Sequence, residues 1–225
     1  MILTVQGQPI HMHVAQPAGR PKGCLVVLHE AFGLTPHILR VCNDYAQQGY
    51  VCIAPALFAW ATGTPEGTVL PQNAEGLEAG RNLIMATTPA QITATIAAVA
   101  EWASGQGLRS ATLGYCWGGS CAYGGAATVP SMVGCVAYYG GKLAELAAQA
   151  QPTCPTLIHL AEHDRYIPLA ETQAAFAAHH PAAQVWAYAA DHGFNRDDGK
   201  TFDPAAAAVA KQRTQQLLAQ AFGAA

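Results

Sequence analysis

Leu113-Gly114-Tyr115-Cys116-Trp117-Gly118-Gly119 decides how this chain is read. The stretch follows a short apolar run, Ala111 to Leu113, and opens into a small-residue, helix-permissive segment, Ser120 to Thr128. That order predicts a strand, a sharp turn and a helix. Glycine stands two residues before and two residues after Cys116. A turn this sharp strains its central residue and brings those neighbours against the adjoining backbone, where a Cβ would clash. The pentapeptide alone leaves two readings open. One is an exposed, active thiol; the other is a buried cysteine in ordinary helix-on-sheet packing, since free cysteine is among the most buried residue types.

The flanking segments choose between them. Cys24-Leu25-Val26-Val27-Leu28-His29 is apolar without alternation, as a strand buried on both faces of a parallel sheet should be. Further strands are expected at Val51–Ala54, Gly134–Tyr139, Pro155–Leu160 and Gln184–Tyr188. Helices are expected over about 36–48, with Thr35 as N-cap and Gly49 as the stop, and over 89–104, 143–149 and 204–221. Ile2 to Val14 alternates loosely around Gly7, as an antiparallel pair at one edge would, with His11 and His13 on its solvated side. The segment 55–80, rich in glycine and proline and without periodicity, reads as a long substrate-side loop. Repeated βα units predict one α/β domain over residues 1–225, a mostly parallel wound sheet flanked by helices on both faces. With a strand–nucleophile–helix turn inside it, this is the pattern of the α/β-hydrolase fold.

Composition narrows the partners. Of 225 residues, 51% are hydrophobic and 11% charged, so the chain can bury a core. A formal charge of −3 without a run of Lys or Arg leaves no electrostatic footprint for nucleic acid or an anionic membrane. A small-molecule partner is expected, and a monomer is favoured, although sequence does not set oligomeric state. Seven cysteines, an odd number lying mostly in apolar runs, suggest no disulfide framework. With no signal-like N-terminus and no bilayer-length apolar run, the expectation is a cytoplasmic protein.

An activated thiol needs a base within hydrogen-bond reach and an acid that orients the base. In this fold they follow the nucleophile as acid and then histidine, each on a loop after a strand. Asp164, in Ala161-Glu162-His163-Asp164-Arg165-Tyr166-Ile167-Pro168, is the choice for the acid, with Glu162 a weaker competitor. The competing role for Asp164 is to cap the helix beginning near Pro168. His192, in Asp191-His192-Gly193-Phe194, is the choice for the base; His29, His159 and His179-His180 fit the order less well. The loop after the first buried strand offers the Ala31 N–H as an oxyanion donor. Glu30 beside it is either solvated or aimed at the nucleophile.

The sequence resembles the dienelactone hydrolase family (carboxymethylenebutenolidases) over nearly its whole length. The matching stretches are His29-Glu30-Ala31-Phe32-Gly33, Gly114-Tyr115-Cys116-Trp117-Gly118-Gly119, Tyr138-Tyr139-Gly140, His163-Asp164 with Pro168, and His192-Gly193-Phe194-Asn195-Arg196. The resemblance implies a triad of Cys116, His192 and Asp164, and an oxyanion hole from the N–H groups of Ala31 and Trp117. It implies that Glu30 holds the resting thiol and swings to help form the thiolate when substrate enters. It implies substrate contacts from Phe32 and Tyr139, with Arg196 holding a substrate carboxylate by a forked pair. The family's second carboxylate-binding arginine has no clean counterpart. Arg81 is the only arginine in the segment before residue 90, with Leu77 or Glu78 nearer the expected position.

The expected activity is hydrolysis of a small activated ester or lactone, carboxylate-bearing and dienelactone-like, through an acyl-thioester, with no metal or organic cofactor. An esterase or thioesterase for another acyl group on the same triad is one alternative. A thiol redox or sensor protein using Cys116 without ester turnover is the other, although Cys121, five residues on, is no obvious resolving partner.

Overall fold

The structure, a computed structural model, describes residues 1–223. These gather into two compact units, Met1–Ser110 and a second that begins at Ala111.

In the first unit, β1 (Ile2–Val5) and β2 (Gln8–Ala15) form the expected antiparallel pair. β2 also pairs antiparallel with β4 (Tyr50–Pro55), which runs parallel to β3 (Gly23–Leu28). β2 therefore lies between two strands, and His11 and His13 on it are half-buried rather than on a solvated edge. Among the described residues, no group of three His, Cys, Asp or Glu could hold a metal ion. All six residues of β3 and of β4 are buried, as runs without alternation require. Helix α1 (Pro36–Gln47) lays Ile38, Val41, Cys42 and Tyr45 on the core and packs against β2 and β4. Thr35 occupies its N-cap position, but its hydroxyl makes no capping bond. α4 (Pro89–Gly105) buries Ile92, Ile96 and Val99 and starts at a capping box between Thr88 and Gln91.

The segment 55–80 is not one loop. It contains α2 (Ala59–Thr62) and the first half of α3 (Ala74–Met85). α3 is capped by Asn73, whose side-chain oxygen accepts the Gly76 N–H at 2.9 Å. Its glycines look like helix breakers in sequence. In the fold they allow close approach: a Cβ on Gly76 would run into the Pro71 carbonyl, and one on Gly80 into the Ala31 carbonyl. Packing against backbone overrides the low helix propensity of glycine here.

In the second unit, β5 (Ser110–Tyr115) adjoins β6 (Met132–Tyr138), which is parallel to β7 (Thr156–Ala161), itself parallel to β8 (Gln184–Tyr188). The connecting helices are α5 (Trp117–Thr128), α6 (Leu143–Gln149) and α7 (Leu169–His179), and α8 (Pro204–Gly223) packs on β6 and β7. β8 alternates in burial and leaves Trp186 on the surface, which marks it as less enclosed than its neighbours. Among the described residues no single helix is long and apolar enough to cross a membrane.

Candidate active site

The turn between β5 and α5 has the strain that its glycine spacing predicts. Cys116 sits at φ 54°, ψ −123°, a conformation that side chains with a Cβ rarely adopt. It is held there by its N–H donating to the Tyr138 carbonyl at 3.0 Å and its carbonyl accepting the Gly119 N–H at 2.9 Å. Gly114 is required because a Cβ there would meet the Gly118 carbonyl and the Gly119 nitrogen. The thiol thus stands, half-exposed, at the N-terminus of α5, whose dipole favours a negative sulfur.

Two loops reach the same point. The His192 Nε2 lies 3.2 Å from the Cys116 Sγ. On its other side the His192 Nδ1–H donates to the Asp164 Oδ2 at 2.7 Å. The Asp164 side chain is 1% exposed, and its other oxygen accepts the Tyr166 N–H at 2.8 Å. Asp164 therefore turns its own loop and orients the imidazole; it does not cap α7, whose N-cap position is Pro168. Glu162, on the same loop, is exposed.

Burial is the largest single influence on His192 and would lower its pKa. The hydrogen bonds to Asp164 and Cys116, joined by the charges of the same two groups, outweigh it and raise the value to about 10. Both partners favour the charged imidazole, Asp164 facing Nδ1 and the sulfur facing Nε2. The remaining histidines do other work. His29 and His159 are fully buried and burial pushes them down, to about 4 and about 3, so both are neutral. His180 donates to or accepts from the Tyr123 hydroxyl at 2.9 Å, inside the packing of α5 against α7.

Around the base, Tyr139 is fully buried with its ring 5.1 Å from that of His192. Arg196 is half-buried and lies 3.7 Å from the Asp198 carboxylate. Three participants escaped sequence reading. Tyr166 packs edge-on against His192 with ring centroids 5.1 Å apart. Its position two residues after Asp164 is the spacing of an Asx turn, a signal that sequence does contain. Phe194 is fully buried against Tyr139 and Tyr188, anchoring the histidine loop. Thr201 donates its hydroxyl to the His192 carbonyl at 2.7 Å, and nothing in the sequence announces it.

The other expected residues belong to the first unit. Glu30, Ala31 and Phe32 follow β3 and are buried, with the Phe32 carbonyl accepting the Leu70 N–H at 2.9 Å. Arg81 is exposed on α3. The structure brings Cys116, His192 and Asp164 together, with Trp117 as the first residue of α5.

A wound parallel sheet with a strained residue between a strand and a helix defines an α/β hydrolase. The chain matches the family model described as "Dienelactone hydrolase family" over residues 10–222, and it belongs to that family of hydrolases. It is 30% identical over 215 residues to the carboxymethylenebutenolidase of Pseudomonas sp. (strain P51), covering 92% of this chain and 88% of that one. A candidate carboxymethylenebutenolidase of Synechocystis sp. is 32% identical over 213 residues, covering 86% and 84%. The crystal structure of a candidate dienelactone hydrolase from Klebsiella pneumoniae superposes with a TM-score of 0.85 at 28% identity, covering 97% of this chain and 96% of that one.

Proposed function

We propose that this enzyme hydrolyses a small, activated, carboxylate-bearing ester or lactone of the dienelactone kind through an acyl-thioester on Cys116. The observation that carries the reading is the continuous line from the Cys116 Sγ through the two nitrogens of His192 to Asp164, at 3.2 and 2.7 Å. The thiolate attacks the carbonyl carbon, a C–S bond forms, and the carbonyl electrons move onto oxygen. Collapse breaks the ester C–O bond, and the leaving oxygen takes the proton from His192. Neutral His192 then removes a proton from water, which attacks the thioester; the C–S bond breaks and the thiolate is restored. A thiolate leaves readily, which suits activated esters over amides.

The N–H groups of Trp117 and Ala31 are the proposed oxyanion donors, each worth about 3 kcal/mol in well-measured cases. Glu30 is the proposed gate, holding the resting thiol neutral until substrate arrives, a role that rests on the family resemblance. Arg196 is the proposed anchor for the substrate carboxylate, which must then share the guanidinium with Asp198.

The test is kcat/KM across lactones and esters with and without a carboxylate, for the wild type and Arg196→Ala. A charge-assisted pair predicts a loss of about 10- to 100-fold confined to charged substrates. Equal losses for charged and neutral substrates remove Arg196 as the anchor. The redox alternative is disfavoured by Cys121, whose thiol is pushed up by burial first and by the Cys116 charge second, making it a poor resolving group.

A further inference from the structure

We propose that Thr214 of α8 is a positioning residue for the triad, the node of a buried cluster with Tyr138, His159 and Tyr188 that fixes the loops carrying Cys116, Asp164 and His192. The inference rests on the hydrolase reading above and extends it to a helix that does not touch the reacting atoms.

The cluster is continuous. The Tyr138 hydroxyl lies 2.7 Å from the Thr214 Oγ1, and the His159 Nε2 lies 3.0 Å from the same oxygen. The His159 Nδ1 lies 2.8 Å from the Tyr188 hydroxyl, which also receives the Arg213 Nη1–H at 3.0 Å. Thr214 and His159 are fully buried, Tyr138 is 1% exposed and Tyr188 7%.

Donor and acceptor rules constrain these bonds. Arg213 can only donate, so the Tyr188 oxygen accepts from it. Burial, and then the Arg213 charge, keep His159 neutral. A neutral imidazole carries one proton, so one ring nitrogen donates and the other accepts, with Tyr188 on one side and Thr214 on the other. Losing one member of a buried network leaves a polar partner without its bond.

Main-chain bonds connect the cluster to the site. The Tyr138 carbonyl accepts the Cys116 N–H at 3.0 Å. The Tyr188 carbonyl accepts two N–H groups, from Glu162 at 2.8 Å and from Ala190 at 2.7 Å. Glu162 stands two residues before Asp164, and Ala190 two residues before His192. The Ala190 carbonyl accepts the His163 N–H at 3.0 Å, tying the two loops to each other. Tyr138 and Tyr188, the strand-end residues that set all three catalytic segments, are thus joined through the ring of His159 and the hydroxyl of Thr214. Arg213 closes the outer end, its guanidinium 3.7 Å over the Trp186 ring.

The test is Thr214→Val, which keeps the shape and removes the hydroxyl, with Thr214→Ser as the rescue. Small displacements of reacting groups are costly, so Thr214→Val is expected to lower kcat about 10-fold with KM little changed, and Thr214→Ser to recover most of it. A purely structural role would lower the melting temperature and leave the folded enzyme's kcat intact. The rate of Cys116 alkylation by iodoacetamide against pH, followed by mass spectrometry, reads the Cys116–His192 pair without any ester. It is expected to shift in Thr214→Val and return in Thr214→Ser. If Thr214→Val fails to fold, Tyr188→Phe removes one hydroxyl from the same cluster and carries both measurements. Wild-type kcat together with an unchanged alkylation profile in the folded variants overturns the proposal. If the wild type turned over no ester, the hydrolase reading would fall, and the alkylation profile would still decide whether Thr214 positions the pair.

Discussion

The two halves of the chain present their polar side chains differently. From Ala111 onward they are linked across long sequence distances: Asp164, His192 and Cys116 in one line, and Arg213, Tyr188, His159 and Thr214 in another. In residues 1–110, His29 and Glu30 are neighbours in sequence. His29 donates its Nδ1–H to the carbonyl of the next residue, Glu30, at 2.7 Å and packs edge-on against Phe58 at 4.9 Å. In the second half, geometry alone supports a nucleophile, a base and an orienting acid. In the first half, the roles of Glu30 and Ala31 rest on the family to which the chain belongs.

That contrast breaks most visibly under mutation. Cys116→Ala or His192→Ala should each lower kcat at least ~10³-fold, as losses of a triad nucleophile or base do. Full turnover of dienelactone or p-nitrophenyl acetate by either variant would show that the linked line in the second half is not the reaction centre.

A smaller effect lies in stability against pH, and both halves contribute. His29 and His159 have folded-state values below the ordinary 6.5, about 4 and about 3. Below pH 6.5 the unfolded chain binds protons that the folded chain refuses, so folding weakens as pH falls from 6.5 toward 4. Across their ranges the two histidines are worth on the order of 3 to 5 kcal/mol each. His192 has the opposite sign: its raised value adds stability that is fully present below 6.5 and is lost as pH rises through about 10. Urea midpoints at pH 7 and pH 4.5 should differ clearly; equal midpoints would mean that these histidines are not held neutral.

The smallest expected change sharpens the comparison most. Taken by itself, the second half favours imidazolium against sulfur. A Glu30 gate acting from the first half predicts a mainly neutral thiol in the free protein at pH 7. Glu30→Gln should then raise the resting thiolate absorbance near 240 nm by a few-fold. Full thiolate in the wild type without substrate would remove the gate and leave Cys116 and His192 as a permanent ion pair.

Much of this was legible in sequence where the signal is local. The turn at Cys116 was readable because glycine spacing reports a backbone constraint directly, and β3 because six consecutive apolar residues can only be buried on both faces. That Asp164 and His192 would come to lie beside Cys116 was readable from chain order. What escaped depends on contacts that sequence does not encode nearby. α3 was hidden because Gly76 and Gly80, which argue against a helix, are there to admit the Pro71 and Ala31 carbonyls. Thr214 looked like any polar residue of an alanine-rich helix, because its partner Tyr138 lies 76 residues away. Phe194 and Thr201 fix the histidine loop through tertiary packing that only the folded chain displays.

Cys116 is the proposed carrier of the acyl group. Acid-quenching the enzyme during turnover of an activated ester and mapping the adduct by mass spectrometry tests it directly. One acyl group per chain is expected on the peptide containing Cys116, released by hydroxylamine and absent from Cys116→Ala. Turnover with no adduct under conditions that saturate the enzyme, or an adduct on another residue, would contradict it.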